Sequence, residues 1–198
     1  KRIHADTGQI QHTFKGRTGT GTGEEALRQA LLFNGYAGHI WNKVFSTAYW
    51  KQDGVIRLPE MDPAFAVGED CEWLVRMLRP YRNVVFLSDC LYNYLVRSDS
   101  AVNIRKFTEA RLTEIPAREK IAQEAAAVWP ALEDPARAKA YARLIQNGKL
   151  AFRLRDRHAA ARIKPHLSKN RRNYFRCGEI SLTQKLKAIA AEVLIRFT

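Results

Sequence analysis

Glu69 and Asp70 stand side by side, directly after Gly68 and just ahead of Trp73, Leu74, Met77 and Leu78, which have helical spacing. Two adjacent carboxylates at the front of an apolar helix have two physical uses. The helix macrodipole favours negative charge in the first turn by about 0.3–1 kcal/mol, so they can serve as caps. The same placement keeps a carboxylate ionised on a rigid support, where it can take a proton from a substrate hydroxyl. Gly68 would let that substrate come close. The residues alone leave both uses open.

Other chemistry-bearing residues are less organised. The five His (His4, His12, His39, His158, His166) have no ligand spacing, and no Ser/His/Asp grouping can be argued. The three Cys (Cys71, Cys90, Cys177) are odd in number, show no metal-ligand spacing, and read as free thiols of a reducing compartment. "GRTGTGTG" (16–23) lacks the Lys-Ser/Thr ending of a P-loop and the spacing of a dinucleotide fingerprint, so it reads as a flexible loop.

The elements that would position the carboxylates follow from local pattern. Residues 1–15 alternate around Asp6-Thr7-Gly8, as in a short hairpin. Thr22 and Glu25 form a capping-box pair opening a helix over about 24–33. The aromatic-rich segment 35–50 reads as a loop leading into a short helix, and 54–65 as a short strand and then a loop with two prolines. Segment 83–96 reads as two strands, or one strand broken near Asp89. From 106 the pattern is helical, with Pro116 kinking or splitting the first stretch. A second stretch starts with Asp134 as N-cap and Pro135 at the first position, with Asn147-Gly148 as a point of interruption. Residues 164–179 read as a basic loop. Residues 181–197 read as an amphipathic helix with Leu182, Leu186, Ile189, Val193, Leu194 and Phe197 on one face.

The chain has 198 residues, 46% hydrophobic and 27% charged, as in an ordinary globular protein, and no apolar run reaches the ~18 residues of a membrane span. It starts at Lys1 with a polar segment unlike a signal peptide, and reads as a fragment of something longer. Its net charge of +13 is uneven. Residues 1–100 hold 12 Lys/Arg against 11 Asp/Glu, and residues 101–198 hold 21 against 9. Segment 153–176 alone has nine basic residues and one acid, Asp156. Such a surface prefers an anionic partner: nucleic acid, anionic lipid or a phosphorylated substrate. Tyr174 and Phe175 interleave with the basic residues as in nucleic-acid binders, but no nucleic-acid fold signature is present, which makes nucleic acid the less favoured partner. An anionic membrane surface pairs the basic segment with the amphipathic helix.

Four motifs occur in one order between residues 41 and 100: Trp41-Asn42-Lys43-Val44-Phe45, Leu58-Pro59-Glu60, Gly68-Glu69-Asp70, and Tyr92-Asn93-Tyr94 followed by Arg97 and Ser100. Together they resemble the second, acceptor-side half of the catalytic domain of a family 2 glycosyltransferase of the GT-A type, over roughly residues 20–105. The resemblance implies an inverting transfer from a nucleotide-sugar donor to a saccharide or lipid-linked acceptor. It implies Asp70 as general base with Glu69 as its neighbour and acceptor contact. It also places Trp41, Asn42 and Lys43 on the cleft floor, and implies a divalent metal (Mn²⁺ or Mg²⁺) in the full-length enzyme. The family's first half, a βαβ nucleotide-binding unit ending in D-x-D, has no counterpart here, so no metal is expected in this chain and the chain alone is expected to turn over little. Glu60-Met61-Asp62 is the nearest acidic spacing, and it sits between prolines.

Several of these residues keep a plainer reading beside the family one. Arg97 and Ser100 either meet the diphosphate or form a solvated turn. Trp73 either stacks on an acceptor sugar or, as its helical spacing favours, packs in the core. Trp41, Asn42 and Lys43 equally suit a buried Trp with polar neighbours capping a helix. Tyr92 and Tyr94 read as core.

The expectation is therefore an α+β, mostly helical chain: a partial GT-A-like unit of few short strands and helices over 1–105, and a helical basic extension over 106–198. It would act in the cytoplasm, at the inner membrane face where acceptors are lipid-linked. The competing expectation is a non-catalytic basic module that binds nucleic acid or another polyanion.

Overall fold

The computed structural model describes residues 2–12, 18–31, 35–96 and 107–198. Within these the chain is mostly helical with a few short strands. β1 (Arg2–His4) and β2 (Ile10–His12) form the expected hairpin, and β1 also pairs in parallel with β7 (Tyr94–Val96). The Gly/Thr segment is more ordered than a loop at its end. β3 (Gly19–Gly21) pairs antiparallel with β6 (Val84–Phe86), leading directly into α1 (Gly23–Leu31), where Glu25 N donates to Thr22 Oγ1. A 3-10 turn at Thr47–Trp50 leads into a tight hairpin of β4 (Lys51–Gln52) and β5 (Val55–Ile56). Its turn is Asp53-Gly54, with both residues at positive φ, as primed hairpin turns require.

α2 (Glu69–Met77) follows, burying Leu74, Val75 and Met77. Among the described residues the second half has five α-helices: α3 (Glu109–Leu112), α4 (Glu114–Val128), α5 (Glu133–Leu154), α6 (Arg157–Arg176) and α7 (Leu182–Arg196). The helix expected to break at Pro116 does split, at Thr113, which leaves the proline in the first turn of α4 where its missing N–H costs nothing.

Three expectations fail against this fold. Segment 164–179 is not a basic loop, because α6 runs through it to Arg176 with Pro165 inside. Pro165 lies on the exposed side, while Ala159, Ala160, Ile163, Leu167, Asn170 and Tyr174 repeat at helical spacing and are buried. That burial outweighs one lost backbone bond. Asn147-Gly148 does not interrupt α5: Asn147 is buried and Gly148 lets α7 approach, since a Cβ there would lie 2.3 Å from Ile195 Cδ1. Asp134 is not the N-cap, because α5 begins at Glu133, straight after a 3-10 turn at Pro130–Leu132.

The apolar interior forms two clusters. One joins α1, α2 and Phe86 to Ile121, Ala122 and Ala125 of α4 and Ala136 of α5, so it draws on both sides of residue 106. The other joins α5, α6 and α7 around Tyr141, Ile163, Leu167 and Ile195. Buried carboxylates tie the layers together. Glu72 of α2 meets Arg76 at 2.6 Å and Lys120 of α4 at 2.9 Å, and Lys120 also holds Asp62 at 2.9 Å. Glu114 of α4 is 1% exposed. It accepts from Arg118 (3.0 Å), from Arg143 of α5 (2.6 and 3.1 Å) and from Asn147 (3.0 Å).

Burial alone would push the Glu114 carboxyl up, but the charges of Arg118 and Arg143, with the bonds from Arg143 and Asn147, outweigh it and hold it at about 2, against an ordinary 4.5. A depressed carboxyl contributes stability that is fully present above about 4.5 and is lost as pH falls through about 2. Glu114→Ala, which strands two guanidiniums, is expected to cost about 3–5 kcal/mol in urea unfolding followed by circular dichroism. Glu114→Gln is expected to flatten the acid limb of stability against pH; an unchanged limb would place the acid-sensitive group elsewhere.

Candidate functional site

The segment from Gly35 to Ser46 has no regular structure, and its side chains hold it by bonding back to its own carbonyls. Asn42 Nδ2 donates to Tyr36 O at 2.8 Å. Lys43 Nζ donates to Ala37 O (2.9 Å), His39 O (2.6 Å) and Asn42 Oδ1 (2.7 Å). Those three acceptors match the three protons of an ammonium. Asn42 and Lys43 are therefore builders of this loop before anything else. The loop presses on α2, where a Cβ on Gly38 would fall 2.8 Å from Cβ and Sγ of Cys71.

The two adjacent carboxylates separate in role at this contact. Gly68 stands at the N-cap with φ 95°, a conformation L side chains rarely adopt, and a Cβ there would lie 3.2 Å from Ala117 Cβ of α4. Glu69 belongs to the helix end, where the backbone N–H groups of Gly68 and Glu69 favour its ionised form. Asp70 is tied to the loop electrostatically as well as to the helix, because the Ile40 backbone N–H and the Lys43 charge both favour its ionised form.

All three charges are strained by partial burial. Burial raises the Asp70 carboxyl, opposed by the Ile40 N–H and by Lys43. Burial likewise raises Glu69, with the Asp70 and Glu114 charges adding to it against the two N–H bonds. Burial lowers the Lys43 ammonium to about 8, against the pull of Cys71 and Asp70. A raised carboxyl beside a lysine is a better proton acceptor than a solvated one, and perturbed groups of this kind mark functional sites.

Lys43 also lines a cleft of about 730 Å³. Its walls are largely apolar and a third of the lining is aromatic, including Trp41, Phe45, Tyr49, Tyr81 and Tyr92, with Asn42, Lys43, Ser46, Asn83, Ser88 and Asp89 as polar points. Trp41 stacks on His39 and Tyr92, with ring centroids 5.3 and 5.1 Å apart, and Tyr94 lies 5.2 Å away. The walls are stiffened by Tyr36 Oη donating to Leu87 O (3.0 Å) and Tyr81 Oη donating to Ser46 O (2.7 Å). An apolar cleft with few polar points suits a small-molecule ligand. Glu69 and Asp70 do not line it; Lys43 is the residue shared between the cleft and Asp70.

The structure thus brings Trp41, Asn42, Lys43, Gly68, Glu69 and Asp70 into one neighbourhood. Trp73 is engaged elsewhere. Its Nε1 donates to Pro59 O at 2.6 Å and its ring meets the edge of Phe45, fastening the segment before α2 to the helix. Arg97 and Ser100 lie outside the described residues. Tyr92 and Tyr94, expected in the core, instead join the Trp41 stack, with Tyr92 48% exposed. Their alternation in Tyr92-Asn93-Tyr94 shows a shared side, but which side is covered depends on the opposite layer. Among the described residues no three His, Cys, Asp or Glu side chains converge.

No family model matches the chain, and neither a curated protein nor a solved structure is significantly similar to it.

The coupling of Lys43 to Asp70 is directly measurable. Lys43→Met removes the cation that opposes burial, so the Asp70 carboxyl is expected to titrate at higher pH than in the wild type, read by carboxyl ¹³C NMR. An unchanged titration would show that the two side chains do not sense each other.

Proposed function

We propose that the chain forms the acceptor side of a glycosyltransferase of the GT-A type, with Asp70 as general base. The supporting observation is the placement of Asp70: it is half-buried at the start of α2, and the Ile40 N–H and the charge of Lys43, which lines the cleft, both favour its ionised form. Aromatic faces such as Trp41 are suited to the apolar faces of sugar rings, and the few polar points would orient hydroxyls.

In the reaction the acceptor hydroxyl oxygen attacks the anomeric carbon of the donor. Asp70 takes the hydroxyl proton, and the bond to the nucleoside diphosphate breaks with its electron pair leaving on the phosphate. Lys43 favours the ionised form of Asp70, and the rigid loop fixes the distance between them. Glu69 holds the helix end that carries Asp70. The donor and any divalent ion would be held by residues beyond those described, as the resemblance implies.

Two experiments test this. Saturation-transfer NMR of the 198-residue chain with a panel of mono- and disaccharides should show binding that Trp41→Ala weakens by about tenfold or more; no binding by any saccharide would remove the acceptor-site reading. In a longer chain carrying a nucleotide-binding half, Asp70→Asn should lose transfer by about 10²–10⁴-fold while donor binding is kept. Near-normal transfer by that variant would leave Asp70 as a structural tie between helix and loop.

A further inference from the structure

α7 carries its large apolar side chains on the side away from the protein. Its rotation about its own axis is fixed from within. Ala188, Ala191 and Ile195 are buried, and Ile195 fills the space left by Gly148 of α5. The buried Glu192 accepts from Tyr141 Oη of α5 at 2.6 Å, from Arg171 of α6 at 3.1 Å and from Arg196 at 2.7 Å. The face expected to be apolar is therefore real but turned outward. Leu182 is 73% exposed, Leu186 58%, Ile189 39%, Val193 47% and Phe197 86%. Steps of four, three, four and four residues put them in one stripe, running about 20 Å at 1.5 Å per residue.

The surroundings of the stripe are cationic. Arg171 and Arg196 share a shallow groove with Ile189 and Val193. Lys185 and Lys187 stand on the same helix, on either side of the stripe by their helical positions. Over residues 157–196 there are ten Lys/Arg against two acids, Glu179 and Glu192. One of these, Glu192, is already covered by Tyr141, Arg171 and Arg196.

We propose that this face is a docking surface for an anionic lipid bilayer, with α7 lying in the headgroup plane, its stripe in the acyl boundary and its cationic flanks on the lipid phosphates. Charge complementarity selects this occupant. A second copy would bring a chain of net charge +13 against another, with the same Lys and Arg flanks facing each other. An apolar stripe with a basic border is the pattern of interfacial helices, in which long basic side chains reach out to the headgroups. Among the described residues no helix is long and apolar enough to cross a membrane, so α7 would lie on the bilayer and not span it. The inference holds whether or not the aromatic cleft binds a saccharide.

The test is co-sedimentation of the 198-residue chain with vesicles of phosphatidylcholine alone and with about one-third phosphatidylglycerol. The wild type is expected to pellet with the anionic vesicles, to stay in solution with phosphatidylcholine alone, and to be released by molar salt, which shortens the screening length to about 3 Å. The double variant Leu186→Asp, Val193→Asp changes exposed positions only. It should bind the anionic vesicles at least tenfold more weakly with an unchanged circular dichroism spectrum. Lys185→Glu with Lys187→Glu should reduce the preference for anionic lipid while leaving the stripe intact. Wild-type chain that stays in solution with both vesicle types overturns the proposal, as does binding that the double Asp variant leaves unchanged. A concentration-dependent dimer in sedimentation equilibrium that the double Asp variant abolishes would also overturn it, by showing that a second copy covers the stripe.

Discussion

The interaction on which the rest of this structure leans is the buried carboxylate of Glu114. Two charges and an amide surround it, from its own helix and from α5. Such a cluster is weak as a source of net stability, because desolvating the ions offsets much of their attraction. Its effect is on specificity. A carboxylate this deeply buried tolerates no sliding of α4 along α5, since any shift leaves a charge unpaired. α4 in turn forms the surface behind Gly68, where Ala117 lies 3.2 Å from where a Cβ would be. The register of α4 thereby sets where α2 begins, and with it where Asp70 stands.

The same device recurs at the other end of α5. Glu192 is buried among Tyr141, Arg171 and Arg196, and these fix how α7 is turned. Burial and the Glu192 carboxylate together raise the Tyr141 hydroxyl. Without that polar pin, α7 would gain by rotating its leucines inward, which is the outcome the hydrophobic effect alone favours. Burying Ala188, Ala191 and Ile195 in place of Leu182, Leu186 and Val193 forgoes apolar burial. Small residues on the inner face are what let the backbones of α5 and α7 come close at Gly148.

Much of the order of elements was legible from period and punctuation. The Glu69–Met77 helix, the split near Pro116 and the two strands on either side of Asp89 follow from local pattern. The failures share a physical origin, because each depended on what an opposing layer covers. Pro165 and a high density of charge suggested a loop, yet Ile163 and Leu167 were already at helical spacing for packing on α5. Tyr92, expected in the core, is 48% exposed while Tyr94 is half-buried, because alternation identifies a face without saying how fully it is covered. At the candidate site the pairing of Glu69 with Asp70 was plain, but the separation of their roles was not. That separation comes from the Ile40 N–H, a tertiary contact with no local signature. Nor does sequence spacing reveal that Lys43 spends its protons on three loop acceptors.

The two buried clusters make one continuous support. Gly68 abuts α4 at Ala117 and Glu114, Glu114 bonds Asn147, and the next residue, Gly148, receives Ile195 of α7. Every link is a packed or hydrogen-bonded contact between regular elements, with no loop intervening after Gly68. A body built this way transmits orientation, not merely attachment. Were α7 seated on a bilayer as proposed, the helix carrying Asp70 and the loop carrying Lys43 and Trp41 would be held at a fixed attitude to the lipid surface. An acceptor anchored in that surface would then be presented to the cleft in two dimensions, which raises its effective concentration there without any added contact to the acceptor itself. The charge asymmetry of the chain fits that proposal: +1 over the half that carries the cleft and +12 over the half that carries α7.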